Sequence, residues 1–193
     1  MIRNKVVFLC VFLIWGVIPP ALADIQQDFK EANEHFSLHG KPIHPGLVQQ
    51  FMSWLSDPGE PTTISVDVAA EHPNQYDDAD VEISNKNICT KPSKDGDYFC
   101  YEWLGKLANG LHVLSIAASG GGSGIFEDLV FVRFDVGDGI NLDGNKYKRL
   151  LMTVVREYGL GDRDDGRIQV LPDRVIVGKS QSRDKDVAVT FSN

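Results

Sequence analysis

Two β-forming runs on either side of Asn109-Gly110 constrain this chain more than any other stretch. Tyr98, Phe99, Tyr101, Trp103 and Leu104 make the first run aromatic-rich, and Leu111, Val113, Leu114 and Ile116 make the second apolar. Asn-Gly accepts the positive φ of a tight turn, so the pattern predicts a β-hairpin. A run of small residues follows in Ser119, Gly120, Gly121, Gly122, Ser123 and Gly124. The chain then returns to a strand pattern at Leu129, Val130, Phe131 and Val132. The expected centre is a sheet of three or more strands, with the glycine run connecting the second to the third.

Upstream the period is helical. Ile25, Phe29, Ala32 and Phe36 fall on one stripe and predict a helix over 25–39, ended by Gly40 and Pro42. Pro45 suits the first turn of a second helix, with Leu47, Val48, Phe51, Met52 and Leu55 on its buried face, stopped at Asp57-Pro58-Gly59. Alternation at Ile64, Val66 and Val68 then predicts a strand. A polar loop over 71–80 leads to a strand at 81–84, extended by Ile88 and Cys89. The apolar run over 150–155 fits a strand or, continued to Tyr158, a short helix, and Thr153-Val154-Val155 favours the strand. Further strands are expected on both sides of Pro172-Asp173 (167–171 and 174–177) and at 187–191, with a loop over 159–166. No repeat, linker or low-complexity tail appears. The fold class is mainly β (α+β by composition): a single antiparallel β-sandwich or partly open barrel with two short N-terminal helices, over residues 24–193.

Residues 1–23 have the pattern of a cleaved signal peptide. Arg3 and Lys5 precede an apolar run over 6–18, and Ala21-Leu22-Ala23 supplies the small-x-small site. The apolar run is short for a spanning helix of about 20 residues. Cys10 cannot be a lipidated first residue, because the apolar run continues past it. The expectation is export, to a periplasm or outside the cell, with no membrane insertion after cleavage. Cys89 and Cys100 remain of the three cysteines, and an even pair in an exported chain reads as a disulfide. The formal charge of −8 becomes more negative once Arg3 and Lys5 are gone. With no Lys/Arg cluster, nucleic acid is a poor partner.

The glycine run fails three catalytic templates. No lysine follows it as a phosphate loop needs, Ile125 stands where a dinucleotide fingerprint needs its third glycine, and Ile125 also breaks a nucleophile elbow around Ser123. Asn141, Asp143 and Asn145 alternate like the first ligands of a calcium loop, but Lys146 and Met152 occupy the glycine and glutamate positions. Asp162, Asp164 and Asp165 read as a solvated turn rather than a cation site. His35 and His39 are one helical turn apart with His44 nearby, yet Phe36 replaces the glutamate of a zinc-protease motif. His112 reads as structural. No metal, no cofactor and no catalytic residue is assigned.

These readings favour a non-catalytic binding protein of the cell envelope. Its partner would be an envelope protein or glycan, met through a loop of Ser119, Gly120, Gly121, Gly122, Ser123, Gly124, Ile125 and Phe126. Residues without bulky side chains let a partner approach backbone N–H groups, and Phe126 can anchor it. The alternative is an envelope polysaccharide or peptidoglycan hydrolase using scattered carboxylates, with Glu102, Glu127, Asp128 and Asp135 as candidates. A third reading is assembly through a sheet edge.

Overall fold

A computed structural model gives the structure of the protein and describes residues 30, 34, 37–38, 41–52, 65–68 and 81–191. Among these, the chain runs through β1 (Ser37–Leu38), β2 (Lys41–Pro42), α1 (Pro45–Gln49), β3 (Ser65–Asp67), β4 (Val81–Ser84) and β5 (Asn87–Thr90). It continues through β6 (Asp97–Lys106), β7 (His112–Gly120), β8 (Phe126–Ile140), β9 (Lys146–Asp162), β10 (Ile168–Val170), β11 (Arg174–Val177) and β12 (Val187–Thr190). The signal-peptide segment, the 71–80 loop, His35 and His39 lie outside the described residues.

Strands β4 to β9 form one antiparallel meander, and β3 pairs with the far side of β9, giving the order β3-β9-β8-β7-β6-β5-β4. Strands β10, β11 and β12 make a second antiparallel sheet of three. The two sheets are mostly β and unclosed, as a sandwich or open barrel would be.

Pleating sends successive side chains to opposite faces, and here both faces of the large sheet are covered. On one face Leu114, Ile116, Val130, Val132 and Phe134 pack with Leu47, Val48, Phe51 and Met52 of the α1 segment. On the other, Val113, Leu129 and Phe131 pack with Val175, Val177 and Val189 of the small sheet. Leu129, Val130, Phe131 and Val132 are therefore all fully buried. Their continuous apolar run, without alternation, is the sequence signature of a strand buried on both sides. Polar links fix both layers. Tyr101 donates its hydroxyl hydrogen to the carbonyl of Ile43, joining β6 to the α1 segment, and burial pushes that phenol's pKa well up. Ala108 N–H donates to the carbonyl of Pro172 at 2.7 Å, joining the β6–β7 turn to the β10–β11 turn.

Several expectations need correction. The helix over 25–39 stops before Ser37, because Ser37–Leu38 already pairs with Lys41–Pro42. Lys30 and Glu34, its two described residues, are helical and form an exposed ion pair at 3.8 Å. The second helix is shorter than its apolar stripe: α1 ends at Gln49, and Phe51 and Met52 reach the core from a turn beyond it. Cys89 does not extend the strand over 81–84; a turn with Asn85 at φ 58° folds β5 back on β4. The Asn109-Gly110 hairpin is present, but only Gly110 takes positive φ. The connection is wider than a two-residue turn because Leu107 and Leu111 are both drawn into the core. Finally, residues 159–162 are strand, not loop. Strand β9 skips a residue opposite β8 at Val155 and at Leu160, and the second bulge lets Leu160 enter the core beside the small sheet.

Candidate functional site

The glycine run leaves the sheet at the end of β7 and re-enters it at Phe126. Ser119 is still in β7, largely buried and paired with Tyr98, and Gly120 pairs with Asp97. Gly121 stands at φ +79°, and a Cβ there would lie 2.3 Å from the Asp95 carbonyl oxygen. Only glycine satisfies both the backbone conformation and the approach. The surface it meets is the turn over 93–97, closed by Ser93 N–H to the Asp97 carbonyl (3.0 Å) and Gly96 N–H to the Ser93 carbonyl (3.0 Å).

That turn lies inside the loop closed by Cys89 and Cys100, which face each other directly across β5 and β6 as a disulfide with 4.1 Å between Cα atoms. Closing a loop of this length contributes on the order of 2–3 kcal/mol. The staple therefore steadies the platform on which Gly121 rests.

The far end of the run is tied to β9. Ile125 N–H donates to Asp162 Oδ1 at 2.8 Å, and Arg163 N–H donates to the Ile125 carbonyl at 2.8 Å. Asp162 also pairs with the Arg163 guanidinium at 2.9 Å. Between the two anchors Gly122 and Ser123 are exposed, and nothing lies within 4 Å of where a Gly122 Cβ would be. Gly124 packs under the Phe126 ring, 3.1 Å from where its own Cβ would stand, while the ring remains 54% exposed. The run is thus a held loop with open backbone beside an accessible aromatic ring. Asp162, read from the sequence only as part of an acidic turn, is what holds it; it lies 37 positions from Ile125, and no local pattern marks that pairing.

The four candidate carboxylates do not gather. Pleating puts Glu102, Glu127 and Asp135 on the small-sheet side and Asp128 on the α1 side. Asp135 lies eight residues along β8 from Glu127, about 25 Å away in an extended strand, and it pairs with Arg133 at 3.0 Å. Burial and the nearby charges of Asp164 and Asp162 raise Glu127's carboxyl, against a lowering hydrogen bond from the Asp164 backbone. Burial and the charge of Glu157 push Asp128 up to about 6. Asp128 and Glu157 are diagonal neighbours on one face, a pairing that depends on the register of β8 on β9.

In the acidic stretch over 162–165, Asp162 and Asp165 are exposed, as a solvated turn would leave them, but Asp164 is not. Asp164 has a side chain 1% exposed and pairs with Arg183 at 2.7 Å. It also accepts hydrogen bonds from Ser180 Oγ at 2.8 Å and Gly166 N–H at 2.9 Å. Burial alone would raise its carboxyl, but these bonds and the Arg183 charge outweigh it and hold the group below its ordinary range. Asp165 accepts Gln181 N–H at 3.1 Å. The acids at 162, 164 and 165 therefore each have donors. Among the described residues, no group of three His, Cys, Asp or Glu side chains converges on one point.

Asn141, His44 and His112 have structural roles. Asn141 caps the β8–β9 turn, accepting N–H groups of Asp143 (3.1 Å) and Asn145 (2.8 Å) through its side-chain oxygen. His44 caps α1 by accepting Gly46 N–H at 3.0 Å. His112 is buried, accepts the Trp103 indole N–H at 3.3 Å and meets the edge of Phe134. Burial, with a smaller effect of Lys106, lowers its imidazole to about 4.

No known protein family, curated protein or solved structure matches this chain. No helix of the described residues is long and apolar enough to cross a membrane.

Proposed function

We propose that this is an exported, non-catalytic binding protein of the cell envelope, and that it meets an envelope protein or glycan through the loop of residues 119–126. The observation that carries the reading is the exposed Phe126 ring beside open glycine backbone, held at one end by Gly121 on the Asp95 carbonyl and at the other by Asp162. A loop ordered before contact loses little conformational entropy on binding. An aromatic anchor next to accessible N–H groups suits a flat sugar face or an extended peptide. The leader-like segment and the Cys89–Cys100 disulfide support an oxidising compartment.

The test is cross-linking capture from an envelope extract by the wild type and by two variants, Phe126→Ala and Gly122→Asp. Gly122 is the right glycine to change because the space beside it is open, whereas a side chain at Gly121 would collide with the 93–97 turn. A partner held by the wild type and lost by both folded variants supports the reading. A partner held equally by all three proteins sinks the assignment of the loop.

A further inference from the structure

We propose that the outer face of the small sheet binds a small organic anion, a carboxylate or phosphate carried on a body with an apolar side. This site is separate from the loop of residues 119–126 and does not depend on its function. A groove of about 350 Å³ lies there, lined by Arg167, Gln169, Ile176, Gly178, Lys179 and Asp186. That volume is at the lower end of small-molecule sites.

Register explains how the groove arises. Ile168 pairs with Val177 and Gln169 with Ile176, and Gly178 N–H donates to the Arg167 carbonyl at 2.8 Å, continuing the ladder one step further. Val177 also pairs with Val187, so Asp186 falls beside Gly178 from the other strand. Val175, Val177 and Val189 point inward to the core, which leaves Gln169 and Ile176 facing out. Gly178 then sits between Arg167 and Asp186 with no side chain of its own. A Cβ there would lie 3.0 Å from the Arg167 carbonyl oxygen, so the hollow is built into the backbone.

The chemistry of the lining selects an anion. Among the described residues, no carboxylate comes within ion-pair distance of the Arg167 guanidinium or the Lys179 ammonium. Asp186 uses Oδ1 to accept the Lys179 backbone N–H at 2.9 Å, which holds it at the groove's edge. Two cations against one carboxylate give a local positive balance on a chain whose formal charge is −8. A guanidinium presents a planar fork that matches carboxylate or phosphate oxygens. The Gln169 amide adds a donor beside it, and half-buried Ile176 supplies an apolar floor for a ring or chain.

The experiment is amide chemical-shift mapping of the purified protein with three probes: inorganic phosphate, galacturonate and, as the neutral control, galactose. Shifts centred on Arg167, Gln169, Gly178 and Lys179 with phosphate or galacturonate, and absent with galactose, are the expected result. Which of the two anions binds more tightly identifies the anionic group. Arg167→Gln/Lys179→Gln, shown to be folded by near-UV circular dichroism, should weaken binding at least tenfold. Arg174→Gln, which removes a cation of the same sheet paired with Asp173 at 2.7 Å, should leave it unchanged. No shifts with either anion, equal shifts with galactose, or equal weakening by Arg174→Gln would overturn the proposal. The wild-type map decides the matter even if the double variant does not fold.

Discussion

Strand β8 is connected at its two ends in opposite ways. At Phe126 the glycine run is packed on the 93–97 turn and bonded to Asp162, and the Asp164–Arg183 pair lies just past the end of β9. At Ile140 the β8–β9 hairpin ends in a turn held by Asn141's side chain, with Ile140 69% and Leu142 89% exposed. Both ends use glycines at positive φ, Gly121 at +79° and Gly144 at +81°, yet nothing lies within 4 Å of a Cβ at Gly144. The same residue in the same conformation is demanded by packing at one end and by backbone conformation alone at the other. A polar, glycine-rich connection is thus the tightly held end of β8, and the end with apolar residues at its tip is the solvated one.

The largest effect should come from Asp164. Asp164→Ala strands Arg183, whose side chain is only 12% exposed, and should cost about 3 kcal/mol in denaturant unfolding. A loss below 1 kcal/mol would mean the pair is not the clamp on this end. Gly121→Ala should cost roughly 2–3 kcal/mol, because it adds a clash with the Asp95 carbonyl to the strain of positive φ. Gly144→Ala should cost about 1 kcal/mol, for the φ alone. Equal losses for the two alanines, measured side by side, would erase the contrast between the two ends.

A smaller effect depends on pH. Asp128's carboxyl is raised from 3.8 to about 6, so the folded state holds that proton more tightly and stability falls as pH rises through this window. His112 is lowered from 6.5 to about 4, so it acts in the opposite sense: the unfolded chain takes up the proton first, and stability falls as pH drops through its window. The two slopes oppose each other in the wild type. Asp128→Asn should stabilise the protein by about 1 kcal/mol at pH 7, and it should unmask a loss of stability between pH 6.5 and 4. A variant whose thermal midpoint keeps the wild-type pH profile would break this account. The smallest effect belongs to the tip: Leu142→Ser should change stability by less than about 0.5 kcal/mol. A larger loss would show that the tip is covered.

Much of the framework could be read locally. The β6–β7 hairpin shows in the Asn109-Gly110 turn and the aromatic run before it, the buried centre of β8 in Leu129 to Val132, and the small sheet's hairpin in Pro172-Asp173 between two short apolar runs. Helix ends were harder. The stripe through Leu47, Val48, Phe51 and Met52 shows that these residues are buried, but not that α1 stops at Gln49 while the last two reach the core from a turn. For the candidate site, the glycine run and Phe126 stood out by composition, whereas Asp162 carries no local sign of the residue it holds.

The sequence by itself determined which residues alternate, where the turns fall, and that Cys89 and Cys100 are available to pair, because those depend on side-chain type and backbone preference over a few positions. Only the tertiary structure decided which layer Glu127 and Asp128 each face and that Asp164 is buried on Arg183. It also decided that β9 bulges at Val155 and Leu160 and that Gly121 rests on a turn more than twenty residues earlier in the chain. Each of these depends on the register between distant strands, and a shift of one residue would exchange the faces.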